Sequence, residues 1–275
     1  MIRSKNIINE STGFTLPELL IAMAVFALIM AAVFGLYKTH QDTYIVQDQV
    51  VEMQQSIRAA LQLMTRDIRM AGYDPSDSGL FGISDIRIRD INGNLDVAGY
   101  GTLTVRVDLN ENGVVDAAET ISYSMFDFAD TSSVTLLDLG RDDGGGQQAV
   151  AENIDAIGFA FAFDSNGDGL LDTSAGGNTI WAMDTDNDNR LDANLDTDDD
   201  GDIDTADNPA GVGITPVDME DIRTIRVWLL ARTGRHDRIF TDTNTYVVAN
   251  GRITPNDNYR RRLLETNVLC RNMGL

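Results

Sequence analysis

Residues 13–37 read GFTLPELLIAMAVFALIMAAVFGLY, and this stretch decides the fold of the chain. From Phe14 to Tyr37 the only charged residue is Glu18. A helix of this length, at about 1.5 Å per residue, is long enough to cross a hydrocarbon core of about 30 Å. Because it is apolar on every side, it is predicted to face lipid or a protein bundle. A charge at the edge of such a run is costly without a partner, which makes Glu18 a candidate functional residue.

The segment before this run is short and polar and ends in a small residue. Residues 1–13 carry Arg3 and Lys5 against Glu10, and the last of them is Gly13. A secretory signal peptide has its small-residue cleavage site after the apolar region. Here the glycine precedes the apolar region, so cleavage after Gly13 would leave the whole apolar helix on the mature protein.

The order of these features, with the sequence G-F-T-L-x-E at residues 13–18, resembles the class III signal of type IV prepilins and type II secretion pseudopilins. The resemblance implies cleavage between Gly13 and Phe14 by a prepilin peptidase, and N-methylation of the new Phe14 amine. It also implies that the Glu18 carboxylate pairs with the Phe14 amine of a neighbouring subunit in a filament. Such a pair is physically reasonable, because each charge alone in an apolar bundle is costly. A plain signal anchor is the alternative.

The helix is predicted to continue beyond the membrane face. Apolar residues recur in steps of three and four over residues 46–71, which is typical of one face of an amphipathic helix. No proline interrupts residues 18–74, and Gly72 before Asp74-Pro75 provides an end. A separate second helix is the alternative, with Gly35 as the weakest point. The predicted organisation is a leader at 1–13, a transmembrane assembly helix at 14–37, an amphipathic continuation at 38–72 and a head at 73–275.

The head is predicted to be an antiparallel sheet, because short alternating or apolar runs are separated by turn residues. The predicted strands are residues 86–91, 102–107, 120–126, 134–139, 154–163, 222–231, 245–249 and 260–269. In the strand at 154–163 large residues alternate with small ones, which predicts a central strand with its bulky face against the long helix. Residues 141–148 are interpreted as a flexible connection. The predicted fold class is α+β, with the long helix packed on the sheet as in pilins.

Residues 108–119, DLNENGVVDAAE, have the ligand pattern of an EF-hand-type calcium loop. Oxygen-bearing side chains occupy positions one, three, five, nine and twelve, a glycine stands at six, and position seven offers its carbonyl. The predicted ligands are Asp108, Asn110, Asn112, Val114, Asp116 and Glu119. Because the flanks look like strands, the loop is predicted to be a structural staple rather than a sensor. The alternative is an Asn-Gly hairpin with incidental acids.

Three less complete copies follow in an acidic insert at residues 164–207, which holds fourteen aspartates against one basic residue, Arg190. The repeats resemble the calcium repeats of thrombospondin type 3 and dockerin modules. Like charges at this density repel unless cations neutralise them, so the insert is predicted to bind Ca²⁺ and to be largely disordered without it. A solvated acidic loop is the alternative. The candidate ligands are Asp164, Asn166, Asp168, Asp172, Asp184, Asp186, Asp188, Asp192, Asp196, Asp198, Asp200, Asp202, Asp204 and Asp207.

Composition narrows the possible functions. The chain has 21 basic and 43 acidic residues and a net charge of −22, which favours cations as partners and argues against nucleic acid. Cys270 is the sole cysteine, so no intrachain disulfide can form. The sequence contains no H-E-x-x-H, no G-x-S-x-G and no phosphate-binding loop between a strand and a helix. We therefore expect that the chain is not an enzyme.

The segments 151–164, 221–235 and 259–272 resemble the head of PilW-type minor pilins. The resemblance implies a minor pilin subunit that takes part in type IV pilus assembly or priming. It also implies an inner-membrane protein with one span and a periplasmic head, later part of the pilus. The alternatives are a type II secretion pseudopilin and a membrane-anchored calcium-dependent adhesin. The implied partners are other major and minor pilins, prepilin peptidase, an inner-membrane assembly platform and, before assembly, membrane lipid.

Overall fold

The computed structural model describes residues 13–87, 101–126 and 137–274. The chain divides into two compact units, Met1–Asp48 and Gln49–Leu275. Two predicted strands, at 86–91 and 134–139, fall partly outside the described residues.

Helix α1 spans Leu16–Met70, and its first part lies in the first unit. Up to Tyr37 its large apolar side chains are exposed, for example Leu28 and Phe34. Within the described ranges it is the one helix that is long and apolar enough to cross a membrane, judged by length and composition. Pro17 stands in the first turn, where its missing N–H costs nothing. The predicted apolar helix is confirmed.

The part of α1 that belongs to the second unit is amphipathic. Its buried residues recur at steps of three and four, and they are Met53, Ile57, Ala60, Leu61, Met64, Asp67 and Ile68. The helix ends at Met70, and Gly72 follows with a φ of 79°. The side-chain amide of Asn272 donates to the carbonyls of Arg69 and Met70, both at 3.3 Å, which satisfies two carbonyls that the helix end leaves free. The predicted stripe and end of the helix are therefore correct.

The smaller sheet is an antiparallel meander in chain order, β1-β2-β3-β4-β5. Residues 141–148, interpreted from sequence as a flexible connection, form the end of β4, a tight turn and the start of β5. Asp142 Oδ1 accepts the amides of Gly144 at 2.9 Å and Gly146 at 3.1 Å, and these bonds order the turn. That interpretation was therefore wrong. The strands are β1 Gly82–Asp85, β2 Leu103–Arg106, β3 Thr120–Phe126, β4 Asp138–Asp142 and β5 Gln148–Ala151.

The larger sheet has six antiparallel strands in the order β13-β10-β6-β7-β8-β9. β6 lies in its interior between β10 and β7, as its sequence pattern predicted. The sequence analysis assigned no strand to residues 164–207, yet β7 and β8 come from this segment. The strands are β6 Ile154–Phe163, β7 Ala182–Met183, β8 Arg190–Asn194, β9 Val212–Asp218, β10 Ile222–Arg232 and β13 Arg261–Leu269, and a separate pair consists of β11 Tyr246–Val248 and β12 Gly251–Ile253.

The two faces of β6 pack into different hydrophobic clusters. Its large residues, such as Phe159 and Phe161, belong to the cluster that also contains the buried face of α1. Its alanines pack with Trp181 and Trp228 on the opposite face of the sheet. The large and small residues of β6 therefore belong to two different clusters, with the bulky face in the cluster that the helix shares.

A buried carboxylate joins α1 to the smaller sheet. Asp67 is 4% exposed, and its Oδ2 accepts the Tyr123 hydroxyl at 2.7 Å and Arg141 Nε at 2.7 Å. Burial, and then the hydrogen bond to Asp67, raise the pKa of the Tyr123 hydroxyl. Because a buried charge is tolerated only when it is paired, this network specifies how the helix packs on β3 and β4.

Candidate processing site and four acidic loops

The residues expected at the processing site lie at the start of α1. Gly13 precedes the helix, Phe14 is 85% exposed, and Glu18 is exposed in the first turn. An acid in the first turn of a helix interacts favourably with the helix dipole. Within the part of the chain that the structure describes, the Glu18 side chain makes no ion pair. The exposed Glu18 carboxylate is therefore available to a partner outside the chain.

The four acidic segments form four loops that each begin immediately after, or two residues after, a strand. We number them loop one (108–119), loop two (164–175), loop three (184–195) and loop four (196–207). Loop one connects β2 to β3 of the smaller sheet, as predicted from its flanks. Loop two follows β6, loop three begins directly after β7 and its second half forms β8, and loop four follows β8.

The aspartate at position one of each loop is buried and organises the backbone around it. Asp108, Asp164, Asp184 and Asp196 are all at most 3% exposed. In each loop one carboxylate oxygen accepts the amide of position five and the other accepts the amide of position six. The position-six amides are those of Gly113 at 3.0 Å, Gly169 at 2.9 Å, Asn189 at 2.7 Å and Gly201 at 3.0 Å.

All four loops adopt a left-handed conformation at positions four and six. At position six φ is 69° for Gly113, 83° for Gly169, 67° for Asn189 and 96° for Gly201. Asparagine is one of the few residues with a side chain that tolerate this conformation, which explains why Asn189 can replace glycine in loop three. Position four has the same handedness at Glu111, Gly167, Asn187 and Asp199. The repeat in the sequence is thus a repeat in the backbone.

Loops one and four are closed by the acid at position twelve. Glu119 Oε1 accepts the amides of Leu109 at 3.0 Å and Asn110 at 3.2 Å, and Oε2 accepts the amide of Asp116 at 3.0 Å. Asp207 does the same in loop four, where it accepts the amides of Thr197 at 2.6 Å and Asp204 at 2.8 Å. In both loops the carboxylate at position twelve therefore binds the backbone at positions two and nine.

Loops two and three close differently, in a way that the ligand pattern did not predict. They lack an acid at position twelve, and the aspartate at position nine takes its place. Asp172 accepts the amide of Ser165 at 3.2 Å, and Asp192 accepts the amide of Thr185 at 2.9 Å and its hydroxyl at 2.7 Å. The sequence signal was present: a hydroxyl residue stands at position two and an aspartate at nine where no acid stands at twelve.

The carboxylates converge most closely in loops three and four. Oxygens of Asp184, Asp186 and Asp188 all lie within 4.8 Å of one another, and so do those of the second group, Asp196, Asp198 and Asp207. Asp200, Asp202 and Asp204 are outside the second group. Donor sets made only of oxygen suit hard cations, and flexible loops suit Ca²⁺ better than Mg²⁺.

Electrostatics within the loops is a balance between burial and hydrogen bonds. Burial acts to raise the pKa of Asp164, but the amides of Gly169 and other loop residues outweigh it and lower that pKa. Burial raises the pKa of Asp198, and the neighbouring carboxylates of Asp200, Asp207 and Asp196 add to the effect. The carboxylates of loop four therefore disfavour the charged form of Asp198.

Comparison with known proteins identifies the chain in part. The description "Prokaryotic N-terminal methylation motif" belongs to a model that matches residues 9–34. A second family model, described as "Prepilin peptidase-dependent protein B", matches residues 47–227. Among solved structures the chain is similar to a type IV-like pilin from Thermus thermophilus, with 13% identity, 81% of this chain and 98% of that chain covered, and a TM-score of 0.40. No curated protein matches the chain in sequence.

The methylation motif, placed over an apolar helix behind Gly13, defines a type IV pilin-like prepilin, which is a structural subunit and not an enzyme. The chain belongs to the prepilin peptidase-dependent protein B family, whose model covers more than half of its length.

Proposed function

We propose that the chain is a minor pilin of the PilW type, which takes part in assembling or priming a type IV pilus. The observation that carries the proposal is the first part of α1. Up to Tyr37 it is an exposed apolar helix whose single acid is Glu18, and a matched N-terminal methylation motif covers residues 9–34. Such a helix needs lipid or other copies of similar helices around it, and a filament core provides the second environment.

The processing step follows from the position of Gly13. Prepilin peptidase cleaves the bond to Phe14 on the cytoplasmic side of the inner membrane, and the Phe14 amine is then methylated. The mature helix stays in lipid as a single span, with the head in the periplasm. On transfer to the filament the Glu18 carboxylate pairs with the Phe14 amine of a neighbouring pilin, so two charges leave lipid as a pair. An inner-membrane assembly platform is the implied partner in this transfer.

The test compares Glu18→Ala with Glu18→Asp in cells that carry the pilus genes. We expect the wild-type protein to begin at a methylated Phe14 by mass spectrometry and to co-purify with sheared fibres. Glu18→Ala is cleaved but leaves the fibre fraction, whereas Glu18→Asp keeps the charge and retains part of the incorporation. A mature N-terminus at another residue, or equal recovery of both variants in fibres, contradicts the proposal.

The same experiment separates the alternatives. A type II secretion pseudopilin would co-purify with secretion components instead of pilus fibres. A membrane-anchored adhesin would retain ligand binding when Glu18 is replaced by alanine, because anchoring alone does not need the carboxylate.

We also propose that the four loops bind Ca²⁺ and that the bound ions stabilise the head. The proposal is supported by the common backbone of the loops, their oxygen-only side chains and the net charge of −22. The predicted ligands in loop one are Asp108, Asn110, Asn112, Val114, Asp116 and Glu119. In loops two to four they are Asn166 and the aspartates that the sequence predicted as candidate ligands. Calorimetric titration of the full chain in neutral detergent is expected to show Ca²⁺ binding that equal Mg²⁺ does not displace. Absence of binding at millimolar Ca²⁺ contradicts it.

Loop one has a further consequence for the helix. The Asp108 amide donates to the Tyr73 carbonyl at 2.9 Å, and the Ser76 hydroxyl donates to Asp108 Oδ2 at 3.4 Å. Both partners lie in the connection that follows α1. An ion in loop one would therefore stabilise the join between the helix and the smaller sheet.

A further inference from the structure

A groove of about 900 Å³ runs between the end of α1 and strand β13, entirely within the second unit. We call it the α1–β13 groove. Its apolar lining comes from Leu61 and Met70 of the helix and Leu264 of the strand. Its polar lining includes four arginines, which are Arg58, Arg66, Arg69 and Arg271.

One side of the groove is an open sheet edge. Among the strands that the structure describes, β13 pairs only with β10, because it is the first strand in the order of the larger sheet. The Cys270 amide donates to the Arg223 carbonyl at 2.8 Å, so the even-numbered residues of β13 direct their backbone groups to β10. Backbone direction alternates along a strand, so odd-numbered residues such as Glu265 and Asn267 direct theirs outward. An open edge of this kind can pair with an added strand.

Three of the four groove arginines lack an acid partner among the described residues. Arg58, Arg69 and Arg271 are exposed and make no side-chain hydrogen bond or ion pair with the described residues, whereas Arg66 pairs with Asp67. The one acid in the groove, Glu265, accepts the Trp228 indole N–H at 3.1 Å and lies 3.5 Å from Arg226. In a chain with net charge −22, three unpaired arginines at one groove form a local positive site.

We propose that the α1–β13 groove binds an extended acidic segment of a partner protein, which adds to the larger sheet as a strand outside β13. Backbone hydrogen bonds to the odd-numbered residues of β13 hold the segment. Its carboxylates pair with Arg58, Arg69 and Arg271, and its alternate apolar side chains pack on Leu61 and Leu264. The inference goes beyond the proposed function and requires neither Ca²⁺ nor filament assembly.

A second copy of this chain is a poorer occupant. Continuation of the sheet from copy to copy would bring the opposite edge strand, β9, to β13. β9 contains Pro216, which has no N–H and interrupts a ladder of backbone hydrogen bonds. The β13 edge, Arg261–Leu269, contains no proline.

The test measures binding of defined peptides to the full chain in neutral detergent by fluorescence anisotropy. The probe is an eight-residue peptide in which Asp and Val alternate. We expect it to bind, and we expect two matched peptides to bind at least about tenfold more weakly: one with Lys in place of Asp, and one with alternate backbone nitrogens methylated. The first control tests charge, and the second tests the added strand.

Matched variants locate the site. The double variant Arg69→Glu with Arg271→Glu is expected to lower the affinity for the acidic peptide about tenfold. The control, Arg235→Glu with Arg238→Glu, makes the same charge change on exposed residues outside the groove. It is expected to leave the affinity within about twofold of the wild type. Asn267→Pro removes one outward N–H and is expected to weaken binding. Asn267→Ala loses the same side chain but keeps the N–H, so it should bind like wild type.

Four outcomes overturn the inference. The first is equal loss of affinity in the two glutamate pairs, and the second is equal binding of the methylated peptide. The third is displacement of the peptide by anionic phosphatidylglycerol added to the micelles, which would assign the groove to lipid. The fourth is that the peptide does not bind but the chain associates with itself, and that Arg69→Glu with Arg271→Glu abolishes this self-association. That result would assign the groove to a second copy.

Discussion

Replacement of Glu119 by glutamine tests whether loop one is a calcium staple. Glu119 is 2% exposed and its two carboxylate oxygens accept three backbone amides. Glutamine has the same shape, keeps one oxygen for the amides of Leu109 and Asn110, and presents an NH₂ group to the amide of Asp116. The substitution therefore removes one charge-assisted hydrogen bond and the bidentate ligand together.

The expected magnitudes separate these two effects. Loss of one hydrogen bond to a buried carboxylate lowers the free energy of unfolding by about 1–3 kcal/mol without calcium. Free Ca²⁺ at a hundred times the dissociation constant stabilises by about 2.7 kcal/mol for each site. In a head of this size 1 kcal/mol corresponds to about 2–4 °C in Tm, so one site contributes about 5–11 °C.

The assay is thermal unfolding of the full chain in neutral detergent, with chelator or with 1 mM Ca²⁺, which is a hundred times a dissociation constant of about 10 μM. We expect calcium to raise the Tm of the wild type. In Glu119→Gln the calcium-dependent rise is expected to be smaller by the contribution of one site. Glu152→Gln is the control, because Glu152 is exposed and its side chain makes no hydrogen bond or ion pair among the described residues. Equal Mg²⁺ should raise Tm little.

Two results would refute the reasoning. If Glu119→Gln shows the same calcium-dependent rise as the wild type, loop one does not bind the ion. If the wild type melts at the same temperature with chelator and with calcium, none of the loops acts as a staple.

Three further predictions concern the second unit. Asp192→Asn lowers the number of bound calcium ions by one in equilibrium dialysis, because Asp192 closes loop three; an unchanged number contradicts that role. Tyr123→Phe costs about 1–2 kcal/mol at pH 7. Burial and Asp67 raise the pKa of Tyr123 above the ordinary tyrosine value of 10.0. The wild-type advantage is therefore complete below about pH 10 and is lost progressively as the pH rises further, which urea unfolding at several pH values measures. A pH-independent difference argues against it. Gly72→Ala is expected to lower Tm more than Gly79→Ala. Both positions have a positive φ, but an added Cβ comes close to another residue, at 2.9 Å, only at Gly72. Equal losses of Tm would contradict the steric argument.

Much of the fold followed from short-range patterns. The apolar run at 13–37 predicted the exposed first part of α1, and the stripe at 46–71 predicted its buried continuation, because a helix places residues three and four apart on one face. The alternation in Ile154–Phe163 predicted an interior strand with two unlike faces. Residues 141–148 were misread, because three glycines indicate freedom, and the Asp142 hydrogen bonds that order them depend on the paired flanking strands.

For the four loops, too, the sequence predicted some features and not others. The spacing of oxygen-bearing residues identified all four of them, and the structure shows that the glycine or asparagine at position six has a left-handed backbone. Spacing alone did not identify Asp172 and Asp192 as the closing acids. Which carboxylate reaches the amide at position two depends on where the flanking strands place the two ends of the loop.

The sequence by itself determined the apolar helix behind Gly13, its amphipathic continuation and the four acidic repeats, since each is encoded by neighbours fewer than about a dozen residues apart. Only the tertiary structure decided that β7 and β8 within the acidic segment join the larger sheet and that β13 ends as an open edge beside unpaired arginines. Those outcomes depend on pairing between residues far apart in the chain. No local periodicity specifies such pairing, because it is selected by the packing of the whole core.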